Sequence, residues 1–251
     1  MLQKRIIPVL QMSQSRLVKT VNFKKPAYIG DPCNTARIFN ELEVDELIIL
    51  DINVSKNRET IDMKTLADLA SECFMPLAYG GGIRCLDDAK KIFDLGYEKI
   101  ILNSALADNP KLIESIASFY GSQAVVVSID VAKPLFGKAH VAFESGTRKS
   151  AESPIVWAKT CAEQGAGEIM VTAIASEGTW EGYAIDLIAD IANAVDVPVI
   201  AHGGAGTVRD IELLFEATSV RAAAAGNLFI YQKKGMGVLV NMPDVSKIHL
   251  G

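Results

Sequence analysis

Apolar residues gather in eight short runs, at residues 6–10, 46–50, 76–79, 99–102, 124–129, 168–172, 198–201 and 222–225. Most are rich in β-branched residues and apolar at successive positions, the pattern of strands covered on both faces. Between them, residues 35–42, 64–73, 86–95, 110–120, 154–164, 185–193 and 207–216 place their apolar side chains at helical spacing. Asn109 before Pro110 and Ser153 before Pro154 are helix-start signals. The last unit is weaker, because residues 233–251 carry Gly235, Gly237 and Pro243, so its helix is expected to be short or absent. Strict strand–helix alternation predicts a parallel sheet, and eight units predict closure into an α/β (βα)8 barrel formed by residues 1–251 as one domain. An open doubly wound sheet is the alternative arrangement.

The pattern also repeats within itself. Ile6-Ile7-Pro8-Val9-Leu10-Gln11 matches Val125-Val126-Val127-Ser128-Ile129-Asp130, and Asp45-Glu46-Leu47-Ile48-Ile49-Leu50 matches Gly167-Glu168-Ile169-Met170-Val171-Thr172. Pro76-Leu77-Ala78-Tyr79-Gly80-Gly81-Gly82 matches Pro198-Val199-Ile200-Ala201-His202-Gly203-Gly204, and Lys99–Leu102 with Asn103-Ser104 matches Ala222–Ala225 with Gly226-Asn227. Four matches in one order predict twofold internal symmetry, with half-barrels at roughly 1–122 and 123–251.

Composition narrows the class. Of 251 residues, 49% are hydrophobic and 22% charged, as in a soluble globular protein, and no apolar run reaches the ~18 residues of a membrane span. A net charge of −5 offers no footprint for nucleic acid or anionic lipid. Cys33, Cys73, Cys85 and Cys161 form no C-x-x-C pair, so neither disulfides nor zinc is expected. The N-terminus enters a strand without a signal-peptide core. The expectation is a reduced, cytoplasmic compartment.

In such a barrel the chemistry sits where strands end. That selects Gln11, Asp51, Gly80–Gly82, Asn103, Asp130, Thr172, His202–Gly204 and Gly226-Asn227 as the mouth. Glycine-rich ends on opposite sides could each hold a phosphate by backbone donors. Asp51 and Asp130 suit acid–base work, or else serve as structural acceptors for loop amides. Lys19 could reach over the mouth toward an anion, and His202 is a titratable or a structural residue. His140 and His249 have no partners at metal-ligand spacing and are assigned no role. At the opposite end, Arg5, Glu46, Lys99 and Glu168 stand at or just before strand starts. Four such charges could ring the barrel floor, either as a salt-bridge plug or as a gate for a small neutral molecule.

These residues resemble the cyclase subunit of imidazole glycerol phosphate synthase. The resemblance rests on Arg5-Ile6-Ile7-Pro8, Val18-Lys19-Thr20-Val21-Asn22-Phe23, Gly30-Asp31-Pro32, Leu50-Asp51-Ile52, Gly80-Gly81-Gly82-Ile83-Arg84, Asn103-Ser104, Gly121-Ser122-Gln123, Gly165-Ala166-Gly167-Glu168-Ile169 and His202-Gly203-Gly204-Ala205-Gly206, over roughly residues 1–231. It implies a twofold-symmetric barrel paired with a glutaminase (HisH-like) subunit at its N-terminal face. Ammonia would enter through the floor and meet a bis-phosphorylated ribulosyl substrate at the mouth, with no cofactor and no metal. It further implies that Asp130 is the catalytic base, with Lys19 and Asp51 beside the substrate. Gly82, Asn103 and Ser104 would form one phosphate site, and Gly178, Gly204, Gly226 and Asn227 the other. Arg5, Glu46, Lys99 and Glu168 would be an ammonia gate rather than a plain plug.

The chain departs from that family at Gln11, where an aspartate serves as catalytic acid. An amide cannot donate and recover a proton at neutral pH. Ala175 and Glu177 also stand where two aspartates are usual, and the C-terminus is patterned differently. These departures resemble the WbuZ-type branch associated with surface-polysaccharide synthesis. That likeness implies ammonia supply to a separate sugar amidotransferase, which converts an N-acetyl group into an acetamidino group. A cyclase that tolerates Gln11, and a non-catalytic scaffold that activates the glutaminase, are the alternatives.

Overall fold

The computed structural model describes residues 4–134, 137–245 and 248; His249 lies outside them. Eight parallel strands form a closed barrel in the order β1 (Arg5–Ser13), β4 (Leu47–Asp51), β5 (Leu77–Gly80), β6 (Lys99–Leu102), β7 (Val125–Ala132), β10 (Glu168–Ala173), β11 (Val199–His202) and β12 (Ala222–Ala225). Pairing of Arg5 with Ala222 and Pro8 with Ala225 closes the ring, which excludes the open sheet. Around it run α1 (Pro32–Glu41), α2 (Val54–Asn57), α3 (Met63–Glu72), α4 (Leu86–Asp94), α5 (Leu112–Tyr120), α6 (Pro154–Glu163), α7 (Ile185–Ala192), α8 (Val208–Ala217) and the short α9 (Asn227–Ile230). None of the described helices is long and apolar enough to cross a membrane.

Strand parity divides the side chains into two cores. Residues facing outward pack under the helices, among them Ile6, Leu10, Leu47, Ile49, Tyr79, Val125, Val127, Ile169 and Val171. Their neighbours point into the lumen: Ile7, Val9, Ile48, Ala78, Ile101, Val126, Met170, Ile200, Ala222 and Ala224. Because successive residues of a strand alternate faces, the lumen parity runs from Arg5, Glu46, Lys99 and Glu168 at the strand starts, through these apolar side chains, to Gln11, Asp130, Thr172 and His202 at the strand ends. The chain therefore builds a charged floor, an apolar packed lumen and a polar mouth on one axis.

The structure differs from the sequence expectation at several points. α1 starts at Pro32, three residues early, because the Asp31 side chain caps it by accepting from the Asn34 amide at 2.8 Å. α5 starts at Leu112 rather than Pro110; Asn109 and Pro110 instead accept backbone hydrogen bonds in a tight turn before it. Two hairpins were not foreseen. β1 runs past the barrel and folds back into β2 (Arg16–Val21) and β3 (Lys24–Gly30); β7 likewise folds back into β8 (His140–Phe143) and β9 (Arg148–Lys149). Both extensions follow repeat-mate strands, as the twofold sequence pattern implies. Beyond α9, residues 231–245 form no helix.

Candidate active site at the barrel mouth and the charged floor

The mouth opens on a cavity of about 360 Å³ lined by Gln11, Asp51, Gly80–Gly82, Asn103, Ser104, Ser128, Asp130, Thr172 and His202 from the barrel, with Phe23, Lys24, Lys25 and Pro26 from the first hairpin. Asp130 is 9% exposed, and burial raises its pKa to about 7 against the pull of Ser128, whose hydroxyl lies 3.4 Å from it. Asn103 donates to its other oxygen at 3.3 Å. A carboxyl group that titrates near neutrality is what acid–base work requires. Asp51 sits across the mouth, where burial raises it to about 6 although the Asn53 amide hydrogen-bonds it at 3.3 Å.

Thr172 lies between Asp130 and His202 in the strand register, and its hydroxyl meets His202 Nδ1 at 3.0 Å. Burial lowers the His202 pKa to about 4, so the ring is neutral at physiological pH and serves as a positioned hydrogen-bonding group. The geometry thus supports His202 as a structural residue.

Gln11 occupies a network that the sequence did not reveal. Its Oε1 accepts from the Thr20 amide at 2.9 Å and its Nε2 donates to Glu177 at 3.0 Å. The Thr20 backbone N–H can only donate, which fixes the orientation of the Gln11 amide. The Thr20 hydroxyl lies 3.0 Å from both Gln11 Oε1 and Glu177 Oε2 and has one proton to give to either, while Glu177 pairs with Lys19 Nζ, which donates as well to the Thr20 carbonyl. Lys19 is consequently no free cation reaching over the mouth. It is buried, its charge is taken up by Glu177, and desolvation lowers its pKa against that ion pair. A long apolar stem with a charged head can be drawn inward when a carboxylate waits there, and the loop after β10 supplies one.

The two glycine-rich beds are unequal. Gly82, Asn103 and Ser104 line the cavity, joined by Ser55 and Lys56, and the Gly82 amide donates to Ser55 Oγ at 3.0 Å. Gly178, Gly204, Gly226 and Asn227 lie together but outside it. Asn227 donates to the Gly178 carbonyl at 3.0 Å, and Gly182 donates to the Gly204 carbonyl at 3.0 Å. At Gly178 and Gly204, both at positive φ, a Cβ would collide with the carbonyls of Thr20 and Gly182.

At the floor the four charges close a ring. Arg5 donates to Glu46 at 2.8 Å and to Glu168 at 2.7 Å, while Lys99 reaches Glu46 at 3.0 Å and Glu168 at 3.3 Å. Each carboxylate bridges both cations, so no charge in the ring is left unpaired. Glu46 is 5% exposed and Arg5 25%, which puts the ring at the boundary of lumen and solvent.

Comparison with known proteins follows the same residues. The model of the family described as histidine biosynthesis protein matches residues 5–235. The chain belongs to this family, and its relatives within it are of the HisF type. A Pseudomonas aeruginosa protein provisionally named imidazole glycerol phosphate synthase subunit hisF2 is 48% identical over the whole of both chains. A Vibrio vulnificus protein with the provisional name hisF3 of the same synthase is 44% identical over 98% of this chain and 95% of its own. Imidazole glycerol phosphate synthase subunit HisF of Streptococcus mutans is 40% identical over 92% of each.

Within this HisF-type frame, sequence reasoning missed Thr20, Ser128 and the lining contributed by the first hairpin. The hairpin had a legible signal: Asn22 and Phe23 sit at the turn with φ of 52° and 60°, and asparagine favours such left-handed turn positions. The Glu177–Gln11 bond spans 166 residues and had no local signal.

Proposed function

We propose that this chain is the synthase subunit of a glutamine-dependent complex. It receives ammonia from a HisH-like glutaminase at the floor and delivers it at the mouth, for amidination of a sugar by a separate enzyme in surface-polysaccharide synthesis. The observation that carries the reading is the closed ring of Arg5, Glu46, Lys99 and Glu168 set directly under the apolar side chains that line the lumen. A lumen of isoleucine, valine, methionine and alanine admits neutral ammonia and penalises ammonium, since an unpaired charge is costly where water cannot follow. The paired ring admits such a molecule only by opening, which suits control by a docked partner. Phe74 and Phe119, 90% and 64% exposed, follow or end helices on the floor side, and exposed aromatics are favoured anchors for a partner.

Gln11 supports delivery over cyclisation, because the acid–base partner that would stand opposite Asp130 is a fixed amide. The cyclase reading retains two specific supports: burial raises the Asp130 pKa to about 7, and Glu177 brings a carboxylate to within 3.0 Å of Gln11. The test is complementation of a histidine auxotroph that lacks its own cyclase subunit but keeps its glutaminase. Delivery to a sugar predicts no growth without histidine, with the protein present and folded. Growth would establish the cyclase.

A further inference from the structure

One ring nitrogen of His202 has a structural use and the other has none. Nδ1 lies 3.0 Å from the Thr172 hydroxyl. Among the described residues no protein group hydrogen-bonds Nε2, although His202 is 4% exposed and forms part of the cavity wall. Strand parity aims the ring inward, because Ile200, two residues earlier on β11, points into the lumen. A polar edge set in a buried wall without a protein partner is free for whatever enters the cavity.

Thr172 also fixes which hydrogen that edge carries. Its side chain is 1% exposed, and among the described residues its hydroxyl meets His202 alone. A buried hydroxyl that does not donate leaves a costly orphan, so Thr172 donates to Nδ1. Nδ1 is then the acceptor of the neutral ring, and the hydrogen sits on Nε2.

The setting of that N–H carries little net charge. Glu177 fastens the loop after β10 to the first hairpin as a clasp, pairing with Lys19 and accepting from Gln11. The Asn22 side chain completes the clasp by donating to the carbonyls of Ala175 at 2.6 Å and Ile174 at 3.2 Å. Glu177 and Lys19 are the charges that act on His202, with opposite sign, and burial keeps the ring neutral. An uncharged donor in such a wall gives an anion no net attraction, whereas a hydroxyl or carbonyl oxygen needs only the hydrogen bond. Asp130, Thr172 and His202 stand side by side on β7, β10 and β11. A carboxyl acceptor at one end of that row and an N–H donor at the other suit a hydroxyl-rich chain, whose groups both donate and accept.

We propose that His202 holds an uncharged oxygen of a polyhydroxylated ligand in the mouth, through a hydrogen bond from Nε2–H. The inference goes beyond the proposed function, because it names a ligand contact that is made whichever molecule takes the nitrogen.

The test is NMR of the full chain with ¹⁵N in its three histidines, the His202 signals being assigned by elimination with His140→Gln and His249→Gln. At neutral pH the unaltered protein should carry its hydrogen on Nε2. Ribulose 5-phosphate should shift that signal, and inorganic phosphate should leave it in place. In calorimetric titrations His202→Phe, which has no donor, should bind ribulose 5-phosphate about tenfold more weakly, and His202→Gln, which keeps an N–H at similar reach, within about threefold of the unaltered chain. Hydrogen on Nδ1, no response to ribulose 5-phosphate, or an equal shift with inorganic phosphate overturns the proposal. So does His202→Phe that binds as the unaltered chain does, or His202→Gln as weak as His202→Phe. Should a His202 variant not fold, the spectra of the unaltered protein decide. Growth of the histidine auxotroph would refute the proposed function and leave this contact standing, while normal binding by His202→Phe would refute the contact and leave delivery of ammonia untouched.

Discussion

Glu177→Ala is expected to lower the free energy of unfolding by about 3–5 kcal/mol near neutral pH, the usual cost of stranding one member of a buried ion pair. Lys19 is 7% exposed and Glu177 2%, so solvent does little to soften the loss. The pH dependence follows from the lysine. Its folded pKa is depressed by burial, so it adds stability above its unfolded value and loses it as pH falls through the folded one. Without Glu177 the depression deepens, and the deficit should be largest near neutrality and shrink on the alkaline side. Replacing both members together, as Lys19→Met with Glu177→Gln, should recover much of the loss, since the uncompensated charge is gone. Urea unfolding at pH 7 and pH 10 checks this. A deficit under 1 kcal/mol at pH 7, or one that grows at pH 10, would show that the clasp does not depend on the pair.

Asp130→Asn should instead stabilise the protein, by about 2–4 kcal/mol at pH 8, from a shift of roughly three pKa units at 1.36 kcal/mol each. The sign follows from a carboxyl group whose folded pKa is about 7 against a model value of 3.8. Folding is unpenalised below the lower value, and stability is lost as pH rises through the higher one. The gain in the variant should be small at pH 4 and level off above pH 7. Urea titrations across that range measure it, and a variant equally stable or weaker at pH 8 would contradict the environment assigned to Asp130. The same variant separates the two functional readings. Delivery to a separate enzyme predicts nitrogen transfer changed by less than about threefold, whereas cyclisation at the mouth predicts a fall of about 10²–10⁴, the usual worth of a general base.

Both effects come from residues whose setting was unequally visible in the sequence. The eight barrel strands could be read because strands covered on both faces must be apolar throughout, and only Glu46 and a few terminal residues moved in or out of them. The floor ring was legible for a related reason. A charge at the start of an otherwise apolar run must find partners at the lumen end, and four of them found one another. Asp130 and Asp51 were legible as carboxylates that end such runs.

The clasp was not legible, and of the hairpins only the Asn22-Phe23 turn left a local signal. β2 is largely buried and pairs with both β1 and the exposed β3, and Asn22 at their turn reaches the carbonyls of Ile174 and Ala175. Lys19 illustrates the limit. Its sequence neighbourhood is that of a solvated lysine, and only a carboxylate 158 residues away turns it inward. The inequality of the two glycine-rich beds had no signal either, because the repeat makes their glycines look alike while the loops above them differ.

The central claim is that ammonia travels along the axis from the paired floor to the mouth. It is tested most directly by supplying the barrel–glutaminase complex and the acceptor enzyme with glutamine labelled with ¹⁵N at its amide, in a tenfold excess of unlabelled ammonium at neutral pH. An enclosed path predicts product nitrogen that is nearly all ¹⁵N, since ammonia inside the lumen does not mix with bulk. Product whose label matches the bulk ammonium pool would mean that the nitrogen arrives through solvent, and the barrel axis would then carry nothing.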